Sequence, residues 1–336
     1  MKRGFDHKKY IDSQTSEILK RLKMFDRLYL EIGGKLVYDM HAFRVLPGYK
    51  KTTKIDLLKN LENFQIIYCV NSKDLLSSRH LGDFDLSYKK QVLKDLKDIK
   101  KKKIKVDFVC ITRYEGEKGI SVFKKLLEKK GIKVLVHHEI KNYLKNVNNV
   151  LKGYSKEKRI PVKNKIIVIT GPAGGSGKMS TALNQVYLDR KKGIKSGFAK
   201  YETFPIWNLS LNHPVNVAYE AATADLGDMN MIDPYHKKAY GIKSVNYNRD
   251  IENFEILEKI GDKLFLKGKF PYKSPTDMGV NMAKDGIIND KICQEAAIKE
   301  IKRRWKIYNR EFKKGREKER TLLRMKEIMK KVGIKK

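Results

Sequence analysis

The chain has 336 residues, 41% of them apolar and 34% charged, which suits a folded protein with a sizeable core and excludes wholesale disorder. No run approaches the roughly 18 apolar residues of a membrane span. No apolar run follows the basic start, and Cys69, Cys110 and Cys293 are too scattered for a disulfide framework or a metal pair, so a cytoplasmic protein with no membrane segment is expected. The net charge of +35 is uneven: residues 196–283 carry −1 and residues 284–336 carry +11. Such an excess attracts nucleic acid or acidic ligands. The lysines are not interleaved with a regular aromatic stripe, so solvated faces are the preferred reading.

Ile11, Ile18, Leu19 and Leu22 recur at helical spacing and predict a helix over 9–24. Leu28 to Tyr38 reads as a hairpin turned by Gly33-Gly34, because a two-residue turn needs positive φ. A loop from His41 to Gly48 follows, in which His41 and Arg44 are candidates to face a ligand. Helices near 53–62, 87–100 and 119–130 then precede short apolar strands at 64–70, 104–111 and 132–136, the pattern of a parallel sheet. The run Lys100 to Lys103 suits a solvated helix C-terminus.

Residues 141–164, with Gly153, Ser155 and Pro161, read as a connection between two parts of the sheet. A strand at 165–170, a glycine-rich turn and a helix near 177–190 come next. Seven of the eight prolines fall in 161–275, where Tyr201, Phe204, Trp207, Tyr219, Tyr235, Tyr240 and Tyr247 also crowd and the lysine bias nearly vanishes. That stretch is either a ligand site or the best-packed core. From about 287 the chain reads as long basic helix with Ile292, Ala296, Ala297, Ile301 and Trp305 on one face. Such a face needs a partner surface, in this chain or in a second copy as a homo-oligomer. The expected fold class is α/β: a mostly parallel sheet with flanking helices, a P-loop-like glycine turn and a long basic C-terminal helix. The expected parts are 1–160 (N-terminal α/β), 161–283 (glycine loop, aromatic and proline-rich) and 284–336 (basic helical extension).

The chemistry hangs on the turn from Ile169 to Thr181. Strand, glycine-rich loop and helix start together converge main-chain N–H groups on one point, and the helix dipole adds positive charge. Gly171, Gly174, Gly175, Ser176, Gly177 and Lys178 are the phosphate-binding candidates, with Lys178 reaching a terminal phosphate. Two departures from G-x-x-x-x-G-K-[ST] stand out. Pro172 occupies the first glycine position, and Met179 replaces the hydroxyl that would ligate magnesium. Ser180 lies about 100° further round the helix and cannot replace it. Anion binding is therefore better supported than magnesium-assisted catalysis, and no metal ligand set is assigned. The alternative is a structural turn.

Ligands in open parallel sheets sit off the carboxyl ends of strands. The strand at 196–201 then brings Glu202 and Thr203 beside the loop. Glu202 is a candidate general base or metal partner, or the partner of Lys200 in a buried ion pair. His213-Pro214 reads as a helix start, with Asn216 and Glu220 sharing one face. Asp225, Asp228 and Asp233 follow closely. Asp228 is a second catalytic candidate, through a metal or a proton. Asp233 before Pro234 reads first as a turn residue, and a metal pair with His236 is the lesser alternative. Arg249 suits a bidentate phosphate contact, against pairing with a nearby carboxylate.

Several blocks together resemble the bacterial family called domain of unknown function 1846: Leu28 to Lys35, His41 to Gly48, Gly171 to Met179, Lys200 to Asn208, Asn230 to Pro234 and Tyr272 to Asn281. The resemblance covers nearly the whole chain and includes the methionine after the loop lysine. It implies a longer protein with a further C-terminal α/β part, so the chain is expected to be truncated. Some family members carry the label ATP-dependent peptidase, for which this sequence offers neither a nucleophile–base–orienter set nor H-E-x-x-H. The leading expectation is a protein that binds a phosphorylated small molecule, ATP or another nucleotide, at 171–178, with phosphoryl transfer or hydrolysis as the reaction class of a hydrolase or transferase. The alternative is a non-catalytic RNA- or protein-interaction protein in which the glycine turn is structural.

Overall fold

The structure, a computed structural model, describes residues 3–77, 80–81, 86–143, 145–265 and 270–334. Helix α1 (His7–Leu22) starts at Asp6, whose carboxylate accepts from the N–H groups of Lys8 and Lys9. Strand β1 (Arg27–Ile32) is followed by α2 (Met40–Val45) and α3 (Thr53–Asn60) and then β2 (Phe64–Asn71). Next come α4 (Ser72–Leu76), the short antiparallel pair β3 (His80–Leu81) and β4 (Leu86–Ser87), α5 (Tyr88–Lys101) and β5 (Phe108–Tyr114). Helix α6 (Ile120–Glu128) leads to β6 (Lys133–His138), α7 (Val147–Lys156) to β7 (Ile166–Thr170), and α8 (Lys178–Arg190) to β8 (Ser196–Tyr201). The remainder runs α9 (Pro214–Ala222), β9 (Asn230–Ile232), α10 (Pro234–Tyr240), β10 (Val245–Tyr247), α11 (Asn248–Leu264), α12 (Pro275–Met278), β11 (Gly279–Val280), α13 (Ala283–Gly286), α14 (Asp290–Lys313) and α15 (Glu319–Lys331).

The main sheet has seven strands in the order β11-β8-β1-β7-β2-β5-β6, and every neighbouring pair is parallel. The α/β expectation holds. Alternate residues of each buried strand feed opposite faces. Leu28, Leu30, Ile66, Tyr68, Val109 and Val168 pack with α1, α3 and α5 on one side. Tyr29, Ile67, Cys69, Ile167 and Ile169 pack with α7, α8 and α11 on the other.

The hairpin expected over Leu28 to Tyr38 is wrong. Only Arg27–Ile32 is strand, and it is an interior one, paired with β7 on one edge and β8 on the other. All six of its residues are buried. A strand covered on both faces loses the polar alternation that marks a hairpin arm, and Gly33-Gly34 serves instead to carry the chain out of the sheet. The single C-terminal helix is also corrected. Gly315, at φ +68°, lies between α14 and α15. Both pack within the chain: Cys293, Ala297 and Ile301 of α14 and Leu322, Met325 and Ile328 of α15 join the core that holds Val217, Ala218 and Ala221 of α9. Residues 141–164 contain α7, and strands from before and after that connection alternate in one sheet.

The order of the sheet creates a switch point. The chain leaving β1 travels past β7 to β2, while the chain leaving β7 travels past β1 to β8 on the opposite face. The carboxyl ends of β1 and β7 therefore open into a crevice, the usual ligand position in such sheets. At the opposite, amino-terminal end of β1 one buried carboxylate fixes the last turn of α8. Asp189 accepts from Arg27 Nη1 at 2.7 Å, Tyr29 Oη at 2.8 Å and Arg159 Nε at 2.6 Å. Removing one partner of a buried ion pair leaves uncompensated charge. Asp189→Ala is expected to lower stability by about 3–5 kcal/mol, read by chemical denaturation; a loss within experimental scatter would refute this account of how α8 is held.

Candidate functional site

Strand β7 is fully buried and delivers the chain from Thr170 into the glycine loop. Gly177 sits at φ +81°, where a Cβ would lie 2.6 Å from Thr112 Oγ1, so both backbone and space demand glycine. The loop is tied back through its carbonyls. Gly175 O accepts from Asn71 Nδ2 at 3.1 Å, and Ser176 O accepts from Thr112 Oγ1 at 2.9 Å. Across a trans peptide the N–H points opposite to the C=O. The N–H groups of Ser176 and Gly177 therefore turn away from Asn71 and Thr112. Among the described residues they donate to no main-chain acceptor. Helix α8 has no side-chain cap at its start, so its first N–H groups add to this donor set.

A cleft of about 1720 Å³ opens above these strand ends. Gly174, Gly175, Gly177, Lys178, Glu202, Asp228 and Arg249 line it. The other two phosphate-binding candidates lie deeper: Gly171 and Ser176 are buried within the loop, with Ser176 Oγ close to the Gly171 backbone. His41 and Arg44 also reach the cleft, from α2 and not from a loop.

The charges come in groups. Lys178 is nearly buried; its Nζ donates to Ala173 O at 3.3 Å and stands 3.9 Å from Glu31 Oε1. Lys200, also buried, donates to Tyr247 Oη at 2.6 Å, bonds Asp250, and lies 3.2 Å from Glu202. Burial pushes the Glu202 carboxyl up to about 7 against the pull of Lys200. Asp228 is likewise raised by burial and opposed by Arg249, whose Nε and Nη2 contact it at 2.7 and 2.9 Å. Two of the sequence candidates are thus each other's partner. Glu300 of α14 gathers Arg44, Arg303 and Arg304 at 2.9, 2.6 and 3.0 Å, with His41 at 3.7 Å. Burial alone would raise its carboxyl; these cations hold it far below the ordinary range. Phe204 stacks on Tyr219 at 6.1 Å, with the His41 ring edge-on to Phe204.

Glu31, Lys200, Tyr247 and Asp250 are among the cleft residues that the sequence reading did not mark as site residues. Glu31 is the one acidic residue near the end of an apolar run, a signal of a strand end at a ligand crevice, but the hairpin reading placed it in an arm before the turn. Asp233 takes the turn role. It caps α10 by accepting from Tyr235 and His236 N–H groups, while its other oxygen takes Thr276 Oγ1 at 2.7 Å and His236 Nδ1 meets Ser274 Oγ at 2.9 Å. Among the described residues no three His, Cys, Asp or Glu side chains come together to hold a metal. All three cysteines are free and buried. No described helix is long and apolar enough to cross a membrane.

The raised Glu202 has a consequence for stability. A carboxyl whose folded pKa of about 7 exceeds its ordinary 4.5 binds protons more tightly folded than unfolded. Its contribution is full below pH 4.5 and is lost as pH rises through 7, at roughly 1.4 kcal/mol per unit of displacement. Glu202→Gln is expected to flatten the fall in unfolding free energy between those pH values; an unchanged slope would show that Glu202 is not the group responsible.

The family described as "Domain of unknown function DUF1846, N-terminal" matches residues 3–333. Over the whole chain the sequence is 46% identical to a UPF0371 protein of Clostridium tetani, and 44% identical to UPF0371 proteins of Clostridioides difficile and Clostridium botulinum. It spans 67% of the length of each. A parallel α/β sheet carrying the glycine loop, matched from end to end in this way, belongs to the DUF1846 family.

Proposed function

We propose that the cleft binds a phosphorylated ligand, with a nucleotide as the favoured class, at the glycine loop. The observation that carries this reading is the uncapped start of α8 at the switch crevice, with the carbonyls of Gly175 and Ser176 tied behind it. A helix start of this kind carries about half an elementary charge and free N–H donors, which suits a phosphate. Gly174, Gly175 and Gly177 let the ligand approach the backbone, and Lys178 neutralises it. Glu202, poised near 7, suits a proton acceptor for a hydroxyl or water attacking phosphorus, so phosphoryl transfer or hydrolysis is the reaction class the site favours. Arg249 adds its charge at the cleft edge while it remains bonded to Asp228.

A ligand that binds only the folded state raises its stability, by roughly 2.7 kcal/mol at a hundredfold excess over Kd. ATP, GTP or inorganic phosphate is therefore expected to raise the Tm of the protein. Lys178→Ala is expected to weaken that binding about tenfold or more, since it removes a charge-assisted contact. Absence of a shift with all three ligands, or an RNA affinity that is salt-steep and indifferent to Lys178→Ala, would replace this reading with that of a non-catalytic interaction protein.

A further inference from the structure

Immediately around Glu31 the ammonium groups do not outnumber the carboxyl groups, although basic residues line the cleft elsewhere. Lys178 and Lys200 provide two ammonium groups. Glu31, Glu202 and Asp250 provide three carboxyl groups, and Glu31 lies within electrostatic reach of both Lys200 and Glu202. The neighbouring cations are already matched, Arg249 by Asp228 and Lys54 by Asp39 at 2.9 Å. A nucleotide entering alone would set phosphate charge directly beside Glu31, whose own cation contact is Lys178.

Glu31 itself is incomplete. It is 8% exposed, at the carboxyl end of β1 and on the cleft wall, with Oε1 toward Lys178. Its Oε2 accepts no hydrogen bond among the described residues. A buried carboxylate oxygen without a donor is costly and calls for one, or for a cation. The loop meanwhile lacks the usual magnesium ligand, because Met179 stands where a hydroxyl would be. Magnesium is commonly held by one or two carboxylates together with the phosphates of the substrate and several waters, and needs no cage of its own. That agrees with the absence of any three-residue metal cluster among the described residues.

We infer that Glu31 is a cation-binding residue of the nucleotide site: the ligand enters as its magnesium complex, and Glu31 takes the metal that Met179 cannot. This rests on the nucleotide reading above. The strand next to the loop supplies the ligand that the loop has lost, and the incoming cation partners the unsatisfied Glu31 oxygen. Lys178 then moves its contact from Glu31 to phosphate without leaving Glu31 unmatched.

The test is calorimetric titration of the whole chain with ATP, in EDTA and in excess magnesium chloride. Wild type is expected to bind at least roughly tenfold tighter with magnesium. Glu31→Gln is expected to bind ATP in EDTA no more weakly than wild type, since a repelling charge is gone, and to gain little from magnesium. Equal wild-type affinity in both buffers overturns the inference while leaving the nucleotide reading intact. So does a Glu31→Gln variant that keeps the full enhancement. No binding of ATP in either buffer removes the nucleotide reading and this inference with it. Where that variant does not fold, equal wild-type affinity in both buffers still overturns the inference.

Discussion

Strand β1 is the constraint around which the site is arranged. Both of its edges are paired and both of its faces are covered, so its backbone has no freedom to shift. Tyr29 and Glu31 point to the face that carries α8. Tyr29 meets Asp189 in the last turn of that helix, and Glu31 meets Lys178 at its first turn. The helix that begins at the glycine loop is thereby fixed at two points against one rigid strand. Asn71 and Thr112, at the ends of β2 and β5, hold the loop from the other side. A donor set positioned by four different strands needs little reorganisation when an anion arrives, which is where preorganised sites gain affinity.

The large positive charge is organised by a few buried acids. Asp189 gathers Arg27 and Arg159, Glu300 gathers three arginines from α2 and α14, and Glu220 of α9 gathers Arg324 and Lys331 of α15. Each such carboxylate joins elements that are distant in sequence. Two of the three hold the C-terminal helices against α2 and α9, so the most basic part of the chain becomes a wall of the cleft, with Arg304, Tyr308 and Arg310 along it. Buried ion pairs of this kind contribute little net stability compared with apolar packing, yet they are costly to break, and that favours one arrangement over its alternatives.

The residues that were readable in advance share a local cause. The loop from Gly171 to Lys178 has its own composition, and its position between a strand and a helix follows from periodicity on either side. Glu202 stands out as a candidate because it follows a strand directly, and it lines the cleft. Asp233 was read first as a turn residue because Pro234 follows it, and it caps α10. The residues that were missed share a different cause. Glu31, Lys200 and Asp250 carry their meaning only through neighbours that are far away in the chain. Asn216 and Glu220, which spacing shows only to share one helix face, are buried and bonded to Ile206, Arg324 and Lys331.

From the order of residues alone came the parallel α/β class, the glycine turn with its lysine and the family membership, because each rests on short-range periodicity or on an unbroken block of residues. Strand order was decided only by the folded molecule, since the choice of neighbours depends on which apolar faces cover one another and not on propensity. That choice put β1 between β7 and β8, turned a supposed hairpin into an interior strand and brought Glu31 to Lys178. It also folded a basic C-terminal segment back onto α9, where burial of Ile301 and Met325 outweighs the hydration of the charges around them.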